Sequence, residues 1–271
     1  AKDGTPKILE FNADTPTSLL EASVIQWQWK EDVFPECDQF NGIHEGLVQS
    51  WKDIFPKKGE IHFAGALENN EDTGTLQYLA STAMEVGFST RVLDMQALDL
   101  QNGRFFDPAG ELVNRCFKLY PWEWMVDESP DGCLAEMEWL EPIWKLVMSN
   151  KAILATLYEL FPDSPYVLPC YLSRPRSGLF CKKPVFSREG HNVSVVDIRD
   201  WEEYVRIAET EGDYNTGAYV YQEYVEPTAY SGRYPVIGSW IIGGEAAGIG
   251  IRENRMEVTD NLSEFVPHII G

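Results

Sequence analysis

Positive charge is scarce in this sequence. Its 271 residues include 22 Lys and Arg against 43 Asp and Glu, a formal net charge of -21. A field of that sign repels nucleic-acid phosphates, which excludes DNA and RNA as expected partners, and it attracts cationic small molecules such as polyamines. Read alone, the acidity serves solubility and nothing more. Long apolar runs are missing as well. The most apolar stretches, such as Trp139–Met148, are interrupted by charges, well short of the roughly 20 apolar residues of a membrane-spanning helix. Cysteine is sparse. Cys37, Cys116, Cys133, Cys170 and Cys181 form no Cys-x-x-Cys pair, so neither a zinc module nor a disulfide framework is indicated. Reduced thiols in a cytoplasmic, soluble protein are the expectation. The four histidines, His44, His62, His191 and His268, are scattered, and each reads as structural or surface before it reads as a ligand. Gly-x-Ser-x-Gly and the Walker A sequence are both absent, which removes the nucleophile-elbow hydrolases and the P-loop enzymes.

What is present is enough for a core: 44% hydrophobic and 13% aromatic residues place the chain among globular proteins. Its length suits one large domain or two packed lobes. The opening Lys2-Asp3-Gly4-Thr5-Pro6 reads as a hairpin turn before a strand at Lys7–Phe11. A turn implies a preceding strand, so the chain is expected to begin inside a larger protein. Ser18-Leu19-Leu20-Glu21 has the capping-box spacing and starts a helix with Leu20, Val24 and Trp27 on one stripe. A second helix is predicted over Asn41–Phe55, with Ile43, Leu47, Trp51, Ile54 and Phe55 as its apolar face. A strand at Glu60–Ala64, a helix at Thr73–Val86 and a strand at Thr90–Leu93 follow, the alternation of an α/β lobe. Helices are predicted over Leu140–Met148 and Asn150–Phe161. The last third reads as strands at Leu179–Val185, Val193–Ile198, Ala218–Val225, Tyr234–Ile242 and Ala247–Arg252, interrupted by one helix at Asp200–Glu209.

Few residues carry chemistry by pattern alone. Cys181-Lys182-Lys183-Pro184, followed by Ser187-Arg188-Glu189-Gly190, would bring one lysine and a turn of backbone N–H groups to phosphate oxygens. A Lys-Lys pair by itself is more often a solvated face. Glu10 and Asn12 lie two apart on the predicted strand end, so they share a face and offer hard oxygens suited to Mg²⁺. By spacing alone they are equally an ordinary polar strand end. Gly243-Gly244-Glu245-Ala246-Ala247-Gly248 lies between two strands, where it makes a hairpin and not a dinucleotide fingerprint.

Taken together, several segments resemble one family. Leu9-Glu10-Phe11-Asn12-Ala13-Asp14-Thr15-Pro16-Thr17-Ser18, Ser149-Asn150-Lys151-Ala152-Ile153-Leu154, Lys183-Pro184 with Ser187-Arg188-Glu189-Gly190-His191-Asn192-Val193, Tyr221-Gln222-Glu223-Tyr224 and Phe265-Val266-Pro267-His268-Ile269-Ile270 are similar to the motifs of the glutathionylspermidine synthase family. They occur in its order over essentially the whole chain, and the closer likeness is to its ligase-only members. The resemblance implies an α+β, α/β fold of the ATP-grasp kind, with two lobes sandwiching ATP, mixed and antiparallel sheets and flanking helices. It suggests a metal- and substrate-side lobe over residues 1–135 and the nucleotide lobes over 136–271.

The implied activity is an ATP-dependent ligase joining a carboxylic acid, such as glutathione or another peptide, to an amine such as a polyamine. The products are an amide, ADP and phosphate, formed through an acyl phosphate. ATP and Mg²⁺ are the implied cofactors. Residue by residue, Glu10 and Asn12 match the metal ligands, and Lys151 and Lys183 match the phosphate lysines. Ser187, Arg188 and Gly190 match the loop over the phosphates, Gln222 and Glu223 the adenine segment, and Arg252 an arginine at the transferred phosphate. Thr15, Thr17, Glu71 and Asp72 are implied near the acid or amine. The family's Arg-x-Asp motif would fall upstream of Ala1. The alternative is a nucleotide-binding protein that keeps the fold without turnover. A carbohydrate- or aromatic-binding module using the nine tryptophans is the third reading, set against their placement in core-forming patterns.

Overall fold

The computed structural model describes residues 4–200, 204–214, 217–256 and 263–271. The chain forms two compact units, each assembled from separate stretches: Ala1–Asn12, Val147–Val236 and Arg252–Phe265 in one, and Ala13–Leu146, Ile237–Ile251 and Val266–Gly271 in the other.

The unit containing Ala13–Leu146 is built on a parallel sheet. Its strands lie in the order Ser89–Asp94, Glu60–Gly65, Arg115–Leu119, Glu138–Leu140, and every neighbouring pair is parallel. Parallel strands need long crossovers and cover on both faces. The helix Asn70–Glu85 is one crossover, linking Glu60–Gly65 to Ser89–Asp94. Asn69 caps it by accepting from the Glu71 N–H at 2.9 Å, and Thr75, Leu76, Leu79, Ala80, Thr82 and Ala83 are buried. Gly65 marks its closest approach to the sheet, because a Cβ there would lie 2.9 Å from Leu76 Cδ1 and 3.1 Å from the Leu119 carbonyl. The helix Ile43–Ile54 buries Trp51, whose Nε1 donates to Thr82 Oγ1 at 2.8 Å and whose ring meets Phe63 edge-on. The other sheet face is covered by a small sheet of Asp99–Gln101, Arg104–Phe106 and Leu112–Val113, which packs Phe105 and Val113 against Ala64, Leu93 and Cys116. Each fully buried Leu or Phe contributes roughly 1.5–3 kcal/mol.

The unit containing Val147–Val236 is built on an antiparallel sheet. Its order is Tyr204–Glu209, Ser194–Ile198, Gly178–Pro184, Tyr219–Glu223, Cys170–Tyr171. The helix Ile153–Leu160 closes one face through Leu154, packed with Cys170 and Val220. A third sheet, in the order Tyr234–Ile242, Glu245–Asn254, Glu264–Val266, contains the two-glycine turn Gly243-Gly244, both in the left-handed region at φ 61° and 91°. That is the hairpin the sequence implies.

Five expectations fail locally. Lys7–Phe11 forms no ladder strand and runs as an irregular arm. In the first helix Val24 and Trp27 are exposed, and the buried positions are Leu19, Ala22, Ser23, Gln26 and Lys30. Polar side chains that find partners displace the apolar stripe there: Gln26 donates to the carbonyls of Ala22 and Ile249. Ser18 takes φ 61° and the helix starts after it, in place of the capping box. Leu140–Met148 is not one helix, since Glu138–Leu140 is a strand and the helix is Lys145–Ser149. Over Asp200–Glu209, residues 204–209 form an edge strand, and 201–203 lie outside the described residues. The amphipathic spacing there is overridden by pairing with Ser194–Ile198. The opening turn at residues 2–6 falls partly outside the described residues.

Candidate functional site

Alternation along the strand Gly178–Pro184 decides which lysine enters the site. Lys183 is buried, and its Nζ donates to Gln222 Oε1 at 2.8 Å and to the Leu9 carbonyl at 2.9 Å. Lys182 faces the opposite side, with Nζ 3.8 Å from the centre of the Tyr219 ring. Lys183 stands opposite Val220 in the register, and Gln222 opposite Cys181, so one sheet face carries Lys183 and Gln222 together. Glu223, the next residue, falls on the other face and is exposed.

Lys151 stands just before the helix Ile153–Leu160. Its N–H donates to the Val185 carbonyl at 2.9 Å, its Nζ donates to the Ser187 carbonyl at 2.5 Å, and Glu10 Oε2 is 3.4 Å away. Burial lowers the Lys151 pKa, the positive charges of Lys183 and Arg188 push it the same way, and the Glu10 carboxylate opposes them. Three cations thus share one neighbourhood with one carboxylate, a local reversal of sign in a chain of net charge -21. Such a cluster favours a polyanion.

The loop after the strand completes it. Glu189, Gly190 and Asn192 take φ 56°, 70° and 55°, and His191 N–H closes a turn on the Arg188 carbonyl at 2.9 Å. Positive φ at both Glu189 and Gly190 beneath that hydrogen bond is the signature of a type I′ turn. Its far side is fixed by Asn192, which donates to the Gly212 carbonyl at 2.8 Å and accepts from the Tyr214 N–H at 2.8 Å. Thr210 Oγ1 donates to the Gly190 carbonyl. Ser187 Oγ is buried with no hydrogen-bond partner among the described residues, an orphan that a phosphate oxygen would satisfy. Arg252 is half-buried, with Nη2 3.3 Å from the Ser263 carbonyl.

Glu10 and Asn12 are both exposed on the irregular arm of the same unit. Among the described residues, no three His, Cys, Asp or Glu side chains gather as a metal cage. Two hard oxygens in the open fit a Mg²⁺ that arrives on phosphates and keeps waters, and do not fit a self-sufficient site. Thr15, Thr17, Glu71 and Asp72 belong to the other compact unit. Glu71 and Asp72 occupy the first turn of Asn70–Glu85, where negative charge also suits the helix dipole.

Sequence patterning missed one pair. Lys118 and Asp14 are both fully buried, with Lys118 Nζ 2.5 Å from Asp14 Oδ1. Lys118 also donates to the Tyr120 carbonyl at 2.8 Å, and the Trp122 N–H donates to Asp14 Oδ2 at 2.8 Å. No local signal marks Lys118, a lone lysine inside Arg115-Cys116-Phe117-Lys118-Leu119. Burial pushes the Cys116 thiol up to about 12 and the Cys170 thiol up to about 11, which makes those two poor nucleophiles. Among the described residues no helix is long and apolar enough to cross a membrane.

The family model described as glutathionylspermidine synthase preATP-grasp matches residues 1–271. A Haemophilus influenzae protein named as a candidate acid–amine ligase is 37% identical over 97% of this chain and 70% of its own length. The trypanothione synthetase of Crithidia fasciculata is 28% identical over 96% of this chain, which spans only 44% of that enzyme. A crystal structure of a candidate gamma-glutamylcysteine synthetase from Methylobacillus flagellatus superposes with a TM-score of 0.58 over 83% of this chain and 72% of that one, at 10% identity, and so shares the fold. With the family model matched end to end and a relative at 37% identity over nearly all of it, the chain belongs to the glutathionylspermidine synthase family, a family of carbon–nitrogen ligases.

Proposed function

We propose that the protein is an ATP-dependent acid–amine ligase whose nucleotide site lies in the unit of Ala1–Asn12, Val147–Val236 and Arg252–Phe265, with an ATP-grasp mode of binding. The observation that carries this reading is the gathering of two buried lysines, Lys151 and Lys183, with Arg188 and the Ser187–Asn192 turn. An ammonium has three N–H donors. Lys183 uses two of them on Leu9 and Gln222, which leaves one for a phosphate oxygen without dismantling the site.

The reaction joins a carboxylate to an amine. A carboxylate oxygen attacks the γ-phosphorus, the bond to the β-phosphate oxygen breaks, and ADP leaves. The amine nitrogen then attacks the acyl carbon, phosphate departs with the C–O electron pair, and the nitrogen loses a proton. The chain's residues have to hold the phosphates in line and neutralise charge that spreads over the transferred group. Lys151, Lys183 and Arg188 do this as fixed cations, and Arg252 is assigned to the transferred phosphate. The Gly190 turn covers the phosphates with N–H groups, and Ser187 Oγ donates to one oxygen. Glu10 and Asn12 would hold Mg²⁺, which supplies further charge neutralisation when bound. Glu223, exposed beside the strand end, is the member of the Gln222–Glu223 pair available to the adenine. Thr15, Thr17, Glu71 and Asp72 are assigned to the acid and the amine, and Glu71 and Asp72 suit an ammonium that must lose its proton before attack. Glutathione and a polyamine are the first pair to try.

The test is a screen of acid–amine pairs with the full-length protein, reading ADP release and product mass. ADP should form only when both partners are present, with a product equal to acid plus amine minus water. Release of AMP, or nucleotide turnover indifferent to the amine, would overturn the assignment.

A further inference from the structure

The arm that carries Glu10 and Asn12 is held by polar clamps and not by apolar burial. Ile8, Leu9 and Phe11 are 40%, 43% and 39% exposed, so their side chains contribute little hydrophobic anchoring. The arm also forms no ladder. Among its ties are the Ile8 N–H to the Tyr166 carbonyl at 2.9 Å, Lys7 Nζ to the Pro165 carbonyl at 2.5 Å, the Glu10 carboxylate 3.4 Å from Lys151 Nζ, and the pair formed by Lys183 and Gln222. Gln222 is the centre of that pair. It is 2% exposed, its Oε1 accepts from Lys183 Nζ at 2.8 Å, and its Nε2 donates to the Ile8 carbonyl at 2.8 Å. Both ends of the amide are therefore spent inside the protein, one on the lysine and the other on the arm.

We infer that Gln222 is a positioning residue: its side-chain amide couples the phosphate lysine Lys183 to the Ile8–Asn12 arm and so sets where Glu10 stands. The inference rests on the proposed roles of Lys183 and Glu10. It gives Gln222 a task distinct from meeting the adenine, which its burial prevents its side chain from doing. A buried amide of this kind has no cheap substitute. Glu at this position keeps an acceptor for Lys183 and loses the donor to Ile8. Leu loses both and leaves the Ile8 carbonyl without its Gln222 donor.

Hydrogen exchange without nucleotide tests the clamp directly. In Gln222→Leu, amides of residues 5–12 should exchange about tenfold faster, the factor that 1.4 kcal/mol represents, while the strands Gly178–Pro184 and Tyr219–Glu223 stay protected. Tyr221→Phe, on the opposite sheet face, should leave residues 5–12 as in the parent. If Gln222→Leu does not fold, Gln222→Glu carries the test with the same expectation. Unchanged exchange of residues 5–12 in the folded variant overturns the inference. Calorimetry supplies the readout that a merely structural role would not move. In Gln222→Leu, which adds no charge beside the phosphates, the loss of ATP affinity should be concentrated in the Mg²⁺-supported part, because Lys183 keeps its charge and its Leu9 contact while Glu10 loses its placement. An equal loss with and without Mg²⁺ overturns the coupling to Glu10. A parent protein that binds no ATP would instead sink the proposed function, and the exchange result would still decide the clamp.

Discussion

Lys182 and Lys183 are adjacent in sequence and face opposite sides of one strand: Lys183 is buried against Gln222, and Lys182 lies over the Tyr219 ring. The pair is a built-in experiment. A buried ammonium facing phosphate makes charge-assisted hydrogen bonds worth roughly 1.5–3 kcal/mol. Lys183→Met should therefore weaken ATP binding by about one to two powers of ten, and Lys182→Met by much less. The thermal stabilisation that saturating ATP confers should shrink in the Lys183 variant alone. Equal sensitivity of the two lysines would mean the phosphates bind elsewhere.

The period of a strand made it legible in the sequence that only one of the two lysines could turn inward, and the family resemblance selected Lys183. The α/β lobe was legible as strand–helix alternation, since Glu60–Gly65, Asn70–Glu85 and Ser89–Asp94 switch period cleanly, whereas the all-parallel order of its sheet was not. What stayed hidden depends on partners far along the chain. The arm at Lys7–Asn12 has the composition of a strand, yet its hydrogen bonds go to side chains of Lys183 and Gln222 and to the Tyr166 region. Gln222 and Glu223 read as one motif and separate onto two faces once the register is known. The stretch Tyr204–Glu209 has helical spacing and is a strand because Ser194–Ile198 supplies an edge to pair with.

Glu10 faces two demands, as neighbour of Lys151 and as proposed metal ligand. Replacing it by Gln removes the charge that most strongly supports the protonated Lys151, and it removes a hard anionic oxygen. Glu10→Gln should reduce ATP affinity several-fold more in the presence of Mg²⁺ than in its absence, with the thermal midpoint of the nucleotide-free protein nearly unchanged because the side chain is exposed. Calorimetry at matched ionic strength checks it. If the Mg²⁺ increment survives intact, the metal assignment moves to other residues.

His62 makes part of the stability dependent on pH. Its ring is buried in the parallel sheet, with Glu60 Oε2 at 3.8 Å and Asp107 Oδ2 at 3.9 Å, and Arg91 bridges those two carboxylates at 2.8 Å and 2.5 Å. Burial lowers the His62 pKa below 6.5, assisted by the Arg91 charge, while the Glu60 and Asp107 carboxylates pull the other way. The unfolded chain therefore takes up the proton first as the pH falls. The contribution is fully present above 6.5 and is lost progressively between 6.5 and the lower folded value. Urea midpoints at about pH 7.5 and pH 5.5 should fall more for the parent than for His62→Asn, since the other titrating groups are common to both. A parallel fall in the two proteins would show that His62 is not linked to folding.

The Asp14–Lys118 pair allows the sharpest test of what holds the parallel sheet's polar interior together. Both side chains are fully buried, and burial lowers the Lys118 pKa against the opposing pull of Asp14. The ammonium also lies 4.3 Å from the Trp122 ring centre, a desolvated cation–π contact. Removing one partner of a buried pair leaves an uncompensated charge and costs about 3–5 kcal/mol. Lys118→Met strands Asp14, which among the described residues retains the Trp122 N–H on its other oxygen. Asp14→Leu strands Lys118 and also orphans that Trp122 N–H, so it should be the costlier of the two by about 1–3 kcal/mol. The double variant lacks both charges of the pair, and its loss should be well below the sum of the single losses, by more than about 1 kcal/mol of coupling. Urea unfolding followed by tryptophan fluorescence measures all four proteins, with Trp122 as a reporter beside the pair. Additive single losses would mean that Lys118 is neutral in the folded protein and that Asp14 serves only as a cap for the Trp122 backbone.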